Sequence, residues 1–185
     1  SETSRGLILS LAAERITGRT DDTYQSRDML RGQMDEPLAR AVYAQHYAEV
    51  YEIGFVTRDL GGCLLGCSPD GVVDFSNEGL IEIKSRRQKV QVETVINGEV
   101  PTENMAQVQA GMLVKDVTWC DYVSYSSGMH LFPIRVFRDA SWSAAIIAAV
   151  QDAETRIQNI VSDYYAAVEG CPITEYVDHF EEVTF

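Results

Sequence analysis

Two carboxylates and an ammonium stand in a stretch of the chain that otherwise has the pattern of protein core. Asp70 lies in a Ser-Pro-Asp-Gly turn, and the apolar segment at residues 80–84 contains Glu82 and Lys84. Acidic side chains are rarely buried unless they are paired or bind a metal. Their position therefore needs a chemical reason.

A strand through Glu82 would place it and Lys84 on the face opposite Ile81 and Ile83, because alternate side chains of a strand point to opposite faces. A hairpin could bring Asp70, twelve residues before Glu82, to its side. Two neighbouring carboxylates raise each other's pKa unless a cation holds them together. Mg²⁺ and Mn²⁺ suit such oxygen ligands. With Lys84 to orient or deprotonate the attacking water, the set predicts metal-assisted phosphodiester hydrolysis.

The same residues also have an ordinary structural interpretation. Pro-Asp-Gly is a common turn sequence. An acid and a base two residues apart on a strand often form a solvated, ion-paired face. The motif alone leaves both interpretations open.

Hydrophobic spacing and turn residues predict a mixed α/β fold. For residues 90–97, the sequence pattern is compatible with either a helix or a strand. The order of elements predicts one domain over residues 1–185, with a mixed central sheet flanked by helices, and residues 171–185 are expected to form a tail or a subunit contact. Helices are expected at residues 4–17, 26–51, 101–114 and 141–169, and strands at residues 53–57, 63–67, 71–75, 80–84, 119–125 and 131–138.

A serine and two prolines refine this pattern. Ser26 can cap the second helix. Pro37 predicts either a kink near Gly32 and Gln33 or a division into two helices, with Glu36 at the start of the second. Pro133 indicates that its strand lies at a sheet edge or a bulge.

Composition excludes a protein that coats nucleic acid without specificity. The formal net charge of the 185 residues is −13, whereas such proteins are basic. Residues 1–90 contain 11 of the 15 Lys and Arg and 14 of the 28 Asp and Glu, a net charge of −3, which leaves −10 for residues 91–185. A site for a polyanion is therefore expected in the first half. No apolar run could span a membrane and no signal-peptide pattern is present, which predicts a cytoplasmic protein.

The cysteines offer a second, weaker metal hypothesis. Cys63 and Cys67 share a face of a predicted strand but lack the two-residue spacing of a zinc knuckle. Small buried side chains are the favoured interpretation, with a zinc or iron–sulfur site as the alternative.

Four motifs in the same order resemble those of a known nuclease family. They are GQMDEPLAR at residues 32–40, CSPDG at 67–71, LIEIKS at 80–85 and MAQVQAGMLV at 105–114. Asp70, Glu82 and Lys84 resemble the PD-(D/E)XK nuclease core. Together, the four motifs resemble the lambda-type exonucleases of viral recombination systems. The resemblance covers about residues 1–140 and implies a restriction-endonuclease-like core.

The resemblance implies a Mg²⁺ site, with Mn²⁺ as a plausible substitute and two ions per active site. Asp70, Glu82 and the backbone carbonyl of Ile83 would bind the metal. Glu36 would face the same metals, directly or through water.

Three further residues match the family's site. Lys84 is assigned to the nucleophilic water, and Gln107 lies on the helix that follows the site and helps to order it. Asp59 is the nearest match to an acid that precedes the SPDG turn, although its Asp-Leu-Gly-Gly context suits a turn residue equally well.

Basic residues near the site are expected to bind DNA. Arg86, Arg87 and Lys89 follow the catalytic strand and would contact flanking phosphates, with a solvated charged loop as the alternative. Ser4 matches a small polar element at the family's first helix and is a candidate phosphate contact, with Arg5 as its basic neighbour.

By resemblance, the protein is expected to digest linear double-stranded DNA from 5′ to 3′ and to leave 3′ single-stranded overhangs. A homotrimeric ring, a single-strand annealing partner, and a phage or prophage origin in a bacterial host are further expectations. A structure-specific or endonucleolytic enzyme with the same core is one alternative. A non-catalytic DNA-binding recombination protein is another, against which the set Glu36, Asp70, Glu82 and Lys84 argues.

Overall fold

A computed structural model of the chain describes residues 2–21, 24–73 and 78–177. The chain divides into two compact units, one of residues 1–21 and 155–185 and one of residues 22–154. The helices are α1 (Glu2–Thr17), α2 (Arg27–His46), α3 (Gln88–Asn97), α4 (Thr102–Lys115) and α5 (Ala140–Ala167), and the strands are β1 (Val50–Tyr51), β2 (Val56–Asp59), β3 (Leu64–Cys67), β4 (Gly71–Val73), β5 (Gly79–Ser85), β6 (Trp119–Tyr125) and β7 (Phe132–Phe137).

The smaller unit contains α1 and the last part of α5. Ile8 of α1 and Ile157 of α5 are buried, and the guanidinium of Arg19 lies 3.5 Å from the ring centre of Tyr176. The prediction of one nuclease domain over residues 1–185 stays a prediction. Of the predicted C-terminal tail, residues 178–185 lie outside the described residues.

The larger unit is built on a five-stranded mixed sheet with the strand order β1-β4-β5-β6-β7. β5 and β6 are parallel, and the other neighbouring pairs are antiparallel. β4 and β5 form a hairpin in which Gly71 pairs with Ile81. β2 and β3 form a separate two-stranded hairpin.

Helix α2 packs on one face of the sheet and α4 packs on the other. Ile81 and Ile83 face α2, as predicted, whereas Leu80 faces α4. By the alternation of a strand, Glu82 therefore faces the α4 side. The buried cluster on the α2 side is Ala39, Tyr43, Val73, Ile81, Ile83, Trp119 and Val123, and that on the α4 side is Val72, Leu80, Val108, Met112, Val117, Cys120 and Tyr122. The predicted α/β class, a mixed central sheet flanked by helices, is confirmed.

Helix α2 continues through Pro37, so the predicted division into two helices, with Glu36 at the start of the second, is wrong. Pro37 has no amide hydrogen and therefore cannot donate to the carbonyl of Gln33. Ala39 and Tyr43, which follow it, are completely or almost completely buried. Packing of this face against the sheet favours one continuous helix over the loss of a single hydrogen bond.

Other boundaries test the sequence patterns. α2 ends at His46 because the next residues enter β1, which pairs with β4. The strand expected at residues 53–57 is displaced to β2, and residues 90–97 belong to α3. Pro133 lies in β7 at the edge of the sheet, as predicted. In the ranges described, we find no helix with the length and apolar character that crossing a membrane requires.

Candidate active site

The β4–β5 hairpin brings Asp70 to the side of Glu82. Because Gly71 pairs with Ile81, the residue before β4 lies across from the residue after Ile81. Asp70 is held there by a hydrogen bond of 2.6 Å, which the backbone N–H of Ile83 donates to its Oδ2. The two carboxylates therefore lie near each other, as the sequence predicts.

Lys84 completes the predicted triad on β5. Its Nζ lies 2.6 Å from Oε1 of Glu82. Glu82 is only 8% exposed, so this ion pair forms at the margin of the core. A partly buried pair is screened less by solvent than a surface pair.

Burial controls the protonation of both carboxylates. It raises the pKa of Asp70 to about 7, with the negative charge of Glu82 as the second cause. Burial also raises the pKa of Glu82, although the ammonium of Lys84 opposes that shift. The charge of Glu36 on α2 raises both pKa values further. The negative charges of these three acids repel one another, and a bound cation would reduce that repulsion.

Arg40 connects α2 to the Asp70 turn. Its Nε donates a hydrogen bond of 2.7 Å to the backbone carbonyl of Asp70. Its two terminal nitrogens pair with Glu36 and, at 2.5 Å, with Oε1 of Glu52. The sequence pattern does not single out Arg40. Its position four residues after Glu36, where side chains of a helix meet, is the signal that could have found it.

A cavity of about 190 Å³ opens beside Glu82 and reaches α4. Gln107 of α4 lines this cavity together with Ser68, so the structure brings Gln107 to the predicted site. Cys67 and Cys120 also line it, and burial raises the pKa of both thiols. Their protonated form is the one that does not bind zinc.

Hard oxygen donors at the site suit Mg²⁺ or Mn²⁺. Asp70 and Glu82 repel each other and are largely withdrawn from water, so the donor set fits a divalent cation. Glu36 instead pairs with Arg40. Within the described ranges, no group of three or more His, Cys, Asp or Glu side chains is assembled to hold a metal ion. Full coordination would therefore need Glu36 or water.

The three basic residues after β5 line one groove but make different contacts. Arg86 donates from Nη2 to the hydroxyl of Tyr122 at 2.6 Å and also pairs with Asn104 of α4. Arg87 forms an ion pair of 2.8 Å with Asp28, and Lys89 is exposed in the first turn of α3. Only Arg86 is drawn to the α4 side of the sheet, where Glu82 lies.

Three other residues are predicted to belong to the site. For Asp59, no contact with Asp70 or Glu82 is found in the part of the chain that the structure describes. Asp59 ends β2, and its Oδ1 accepts a hydrogen bond of 2.6 Å from the N–H of Gly62. This favours its interpretation as a turn residue. Ser4 and Arg5 are exposed on α1, in the smaller unit, and their contact with phosphate stays a prediction.

Known proteins share both the sequence pattern and the fold. A model of the YqaJ-like viral recombinase domain matches residues 1–121. The crystal structure of LHK-Exo in complex with dAMP is 28% identical, with a TM-score of 0.79, over 91% of this chain and 86% of that one. A second structure of LHK-Exo, an alkaline exonuclease from Laribacter hongkongensis, is 31% identical, with a TM-score of 0.65, over 89% and 81%.

A solved structure of much lower sequence identity shares the fold alone. The phage related exonuclease from Haemophilus somnus 129PT is 12% identical, with a TM-score of 0.66, over 89% of this chain and 85% of that one. Curated proteins gave no sequence match. The resemblance to lambda-type exonucleases is confirmed by the family match and by LHK-Exo, and it supports a nuclease. The chain belongs to the YqaJ-like viral recombinase family.

Proposed function

We propose that this protein is a Mg²⁺-dependent exonuclease that digests linear double-stranded DNA from 5′ to 3′ and leaves 3′ single-stranded overhangs. The observation that carries the proposal is the Asp70 turn fastened to Ile83 N–H, which sets Asp70 beside Glu82 and Lys84. Similarity to LHK-Exo, an alkaline exonuclease, supports the reaction class.

The chain has the residues to hold the cation. Asp70, Glu82 and the backbone carbonyl of Ile83 would bind Mg²⁺, or Mn²⁺ in its place, and Glu36 would join them directly or through water, for two ions in all. When bound, the cation supplies positive charge that polarises the scissile phosphate and lowers the pKa of water.

The other side chains position water and substrate. Lys84, 2.6 Å from Glu82, would hold the attacking water by its ammonium hydrogens and stabilise the negative charge that develops on the phosphate. Gln107, across the same cavity, would donate to or accept from the water or the substrate, because an amide can do both. Arg40 keeps the Asp70 turn against α2.

Basic residues would supply the DNA contacts. Arg86, Arg87 and Lys89 follow β5 closely and would bind phosphates on either side of the cleaved bond. Ser4 and Arg5 on α1 remain candidates for a phosphate contact, and Asp59 for a further acid of the site.

We further propose the assembly that the family resemblance implies. A homotrimeric ring around DNA would keep the enzyme on its substrate, and a single-strand annealing protein would receive the overhang, in the cytoplasm of a bacterial host that carries the phage or prophage. Light scattering at micromolar concentration tests the ring: the mass of a trimer is expected, and the mass of a monomer would contradict it.

The decisive experiment compares two forms of one plasmid. With Mg²⁺, the linear plasmid should be degraded and the covalently closed circle should persist, because the enzyme needs an end. A label at the 3′ end of each strand should outlast a label at the 5′ end. Glu82→Ala should abolish degradation. Glu78→Ala is the matched control, since Glu78 also pairs with a lysine, Lys115, at 2.9 Å.

Each failure points to a different alternative. Cleavage of closed circles would indicate an endonuclease with the same core. Binding without degradation in Mg²⁺ and Mn²⁺ would indicate a non-catalytic recombination protein. Full activity of Glu82→Ala would show that the site is placed wrongly.

A further inference from the structure

A groove of about 520 Å³ lies beyond the end of β5 in the larger unit. Three parts of the chain contribute to it: α2, the start of α3, and the turn after β6. Its lining residues include Arg31, Asp35, Arg87, Lys89, Ser126 and Ser127. It is separate from the cavity lined by Glu82 and Gln107.

The first turn of α3 opens on this groove. Arg87 occupies the N-cap position and makes no capping hydrogen bond with its side chain. The first amide hydrogens of a helix have no partners within the helix and attract anions. Gln91 fixes α3 in place, because it is completely buried and exchanges hydrogen bonds with Ser124 of β6.

Ser126 is an unusual part of the groove wall. It is only 5% exposed, and in the described part of the chain its hydroxyl makes no hydrogen bond; its carbonyl accepts from Met129 N–H. No side-chain oxygen or nitrogen in that part is sealed from solvent without a partner. The Ser126 hydroxyl therefore retains contact with solvent, and Ser126 lines the groove.

Cationic side chains line the groove. Arg31 and Arg87 share the carboxylate of Asp28, at 2.7 and 2.8 Å, and Lys89 lies two residues after Arg87, in the first turn of α3. These cations outnumber the acids Asp28 and Asp35, in a chain whose formal net charge is −13. Guanidinium groups that already stand in a fixed geometry lose little freedom when they bind a phosphate.

The groove is also tied to the catalytic strand. Ser85, next to Lys84, accepts a hydrogen bond of 2.9 Å from Arg31 Nε and donates one of 2.6 Å to Asp35. At about 3.3 Å per residue of strand, the groove begins within roughly 10 Å of the Glu82–Lys84 pair. Successive phosphates of one strand are about 3.4 Å apart along the duplex axis, so a strand at the active site would pass close to the groove.

We propose that this groove binds an internal backbone phosphodiester of the DNA, through the Ser126 hydroxyl, the first amides of α3, and the cations Arg31, Arg87 and Lys89. The inference rests on the proposed nuclease function and extends it by assigning Ser126 and Arg31, which the sequence pattern does not single out. It makes the groove a positioning site for the strand and leaves the cleavage chemistry to the Asp70–Glu82 pair.

The test measures binding without cleavage. A fluorescent linear duplex is titrated in EDTA at several salt concentrations, and the logarithm of Kd is plotted against that of the salt concentration. Arg87→Ala and Lys89→Ala should each weaken binding and reduce the slope by about 0.9, the value for the removal of one phosphate interaction. Ser126→Ala should weaken binding roughly tenfold without changing the slope, because it removes no charge.

Arg138→Ala is the matched control. Arg138 and Arg58 share Asp116 at 2.7 and 2.9 Å, just as Arg87 and Arg31 share Asp28, but they lie outside the groove. Its slope should equal that of the unmodified protein. If Arg87→Ala and Arg138→Ala gave the same slope, or if Ser126→Ala bound like the unmodified protein with an unchanged thermal unfolding curve, the proposal would be overturned.

Two further measurements are needed. The first distinguishes an internal phosphodiester from a 5′-terminal phosphate, and the second distinguishes failure of the groove proposal from failure of the proposed function. The losses should be equal on duplexes with 5′-phosphate and 5′-hydroxyl ends; losses confined to 5′-phosphorylated ends would overturn the assignment to an internal phosphodiester. Glu82→Ala should bind with the unmodified slope and fail to cleave. Failure of the unmodified protein to degrade linear duplex in Mg²⁺ would refute the proposed function alone, and unchanged slopes in the groove variants would refute the groove alone.

Discussion

The carboxylate of Asp70 accepts a hydrogen bond from the backbone N–H of Ile83, with 2.6 Å between Oδ2 and nitrogen. This contact joins a turn residue to the middle of β5, thirteen positions along the chain. It places a second acid beside Glu82 and opposes the rise in the pKa of Asp70 that burial causes. The contact therefore builds the site at the cost of concentrating negative charge in it.

Asp70→Asn should separate the architecture of the site from its charge. The amide oxygen of asparagine can still accept from Ile83 N–H, so the turn is expected to persist. Nuclease activity should fall by more than the roughly 10- to 100-fold that the loss of an outer partner of a metal costs. The metal-free variant should melt at a higher temperature at pH 8, since a buried charge is removed. A lower melting temperature with unchanged activity would contradict both expectations.

The raised pKa of Asp70 predicts how pH acts on the metal-free protein. Its value is about 7, against 3.8 for an ordinary aspartate, so the folded state binds more protons than the unfolded state between these values. Stability should therefore fall as the pH rises from about 4 to about 7, and then level off. The difference in unfolding free energy between the unmodified protein and Asp70→Asn, from urea titrations across this range, isolates the effect. A difference that does not vary with pH would contradict it.

Metal binding should show the opposite trend over the same window. A cation competes with the proton on Asp70, so Mg²⁺ affinity should increase up to about pH 7 and protons should be released on binding below it. Calorimetry in two buffers of different ionisation enthalpy measures the proton count. In Asp70→Asn, proton release should be reduced, and equal release in both proteins would assign the protons to other groups.

The chemistry of the site could be predicted from the sequence because it depends on local rules. Alternation along a strand separates Glu82 and Lys84 from Ile81 and Ile83, and one short hairpin carries Asp70 to Glu82. Those relations require only neighbouring parts of the chain. The register of β4 against β5 places Gly71 opposite Ile81 and therefore Asp70 near Glu82.

The rest of the site depends on contacts between distant segments, which local patterns do not contain. The helix through Pro37 is maintained by burial of Tyr43 against the sheet, and Arg40 reaches a carbonyl thirty residues along the chain. The burial of Ser126 in the groove wall depends on the fold, and no local pattern predicts it. The resemblance to a family could name Glu36 but could not show its pairing with Arg40.

Arg40→Met tests the link between α2 and the Asp70 turn. Methionine keeps an apolar stem of similar length but loses the hydrogen bond to the Asp70 carbonyl and the pairing with Glu36. We expect kcat to fall roughly tenfold to a hundredfold, because the Asp70 carboxylate is less well positioned, with little change in DNA affinity. Arg40→Lys should recover part of kcat.

Arg58→Met is the control for this variant. Arg58 likewise donates to a backbone carbonyl, that of Leu113 at 2.6 Å, and pairs with a carboxylate, that of Asp116 at 2.9 Å. Its kcat should be unchanged. Equal losses in the two variants would show a general effect on folding, whereas no loss in Arg40→Met would refute its positioning role.

Tyr43→Phe tests a buried contact that anchors α2 on the sheet. The Tyr43 hydroxyl donates to Oδ2 of Asp121 at 2.5 Å, and Arg135 binds the same carboxylate through two nitrogens. Loss of a buried hydrogen bond to a charged group should lower the unfolding free energy by about 1.5–3 kcal/mol. Urea denaturation measures it. Tyr47→Phe, which removes the hydroxyl of the tyrosine stacked on Tyr43, should cost less than about 0.5 kcal/mol; equal losses would argue against the anchoring role.

Asp28→Asn should strengthen DNA binding if the groove beyond β5 holds a phosphodiester. Asp28 forms ion pairs with Arg31 and Arg87 in the free protein, so a phosphate must compete with its carboxylate for these two residues. Neutralising it should lower Kd and make the dependence on salt steeper, by up to about 0.9 in slope for each additional phosphate that the protein binds. Asp116→Asn neutralises the same kind of carboxylate between Arg58 and Arg138 and should change neither quantity. If both variants bound more tightly by the same factor, the tighter binding would come from the change in net charge. Competition between Asp28 and a phosphate in the groove would then be contradicted.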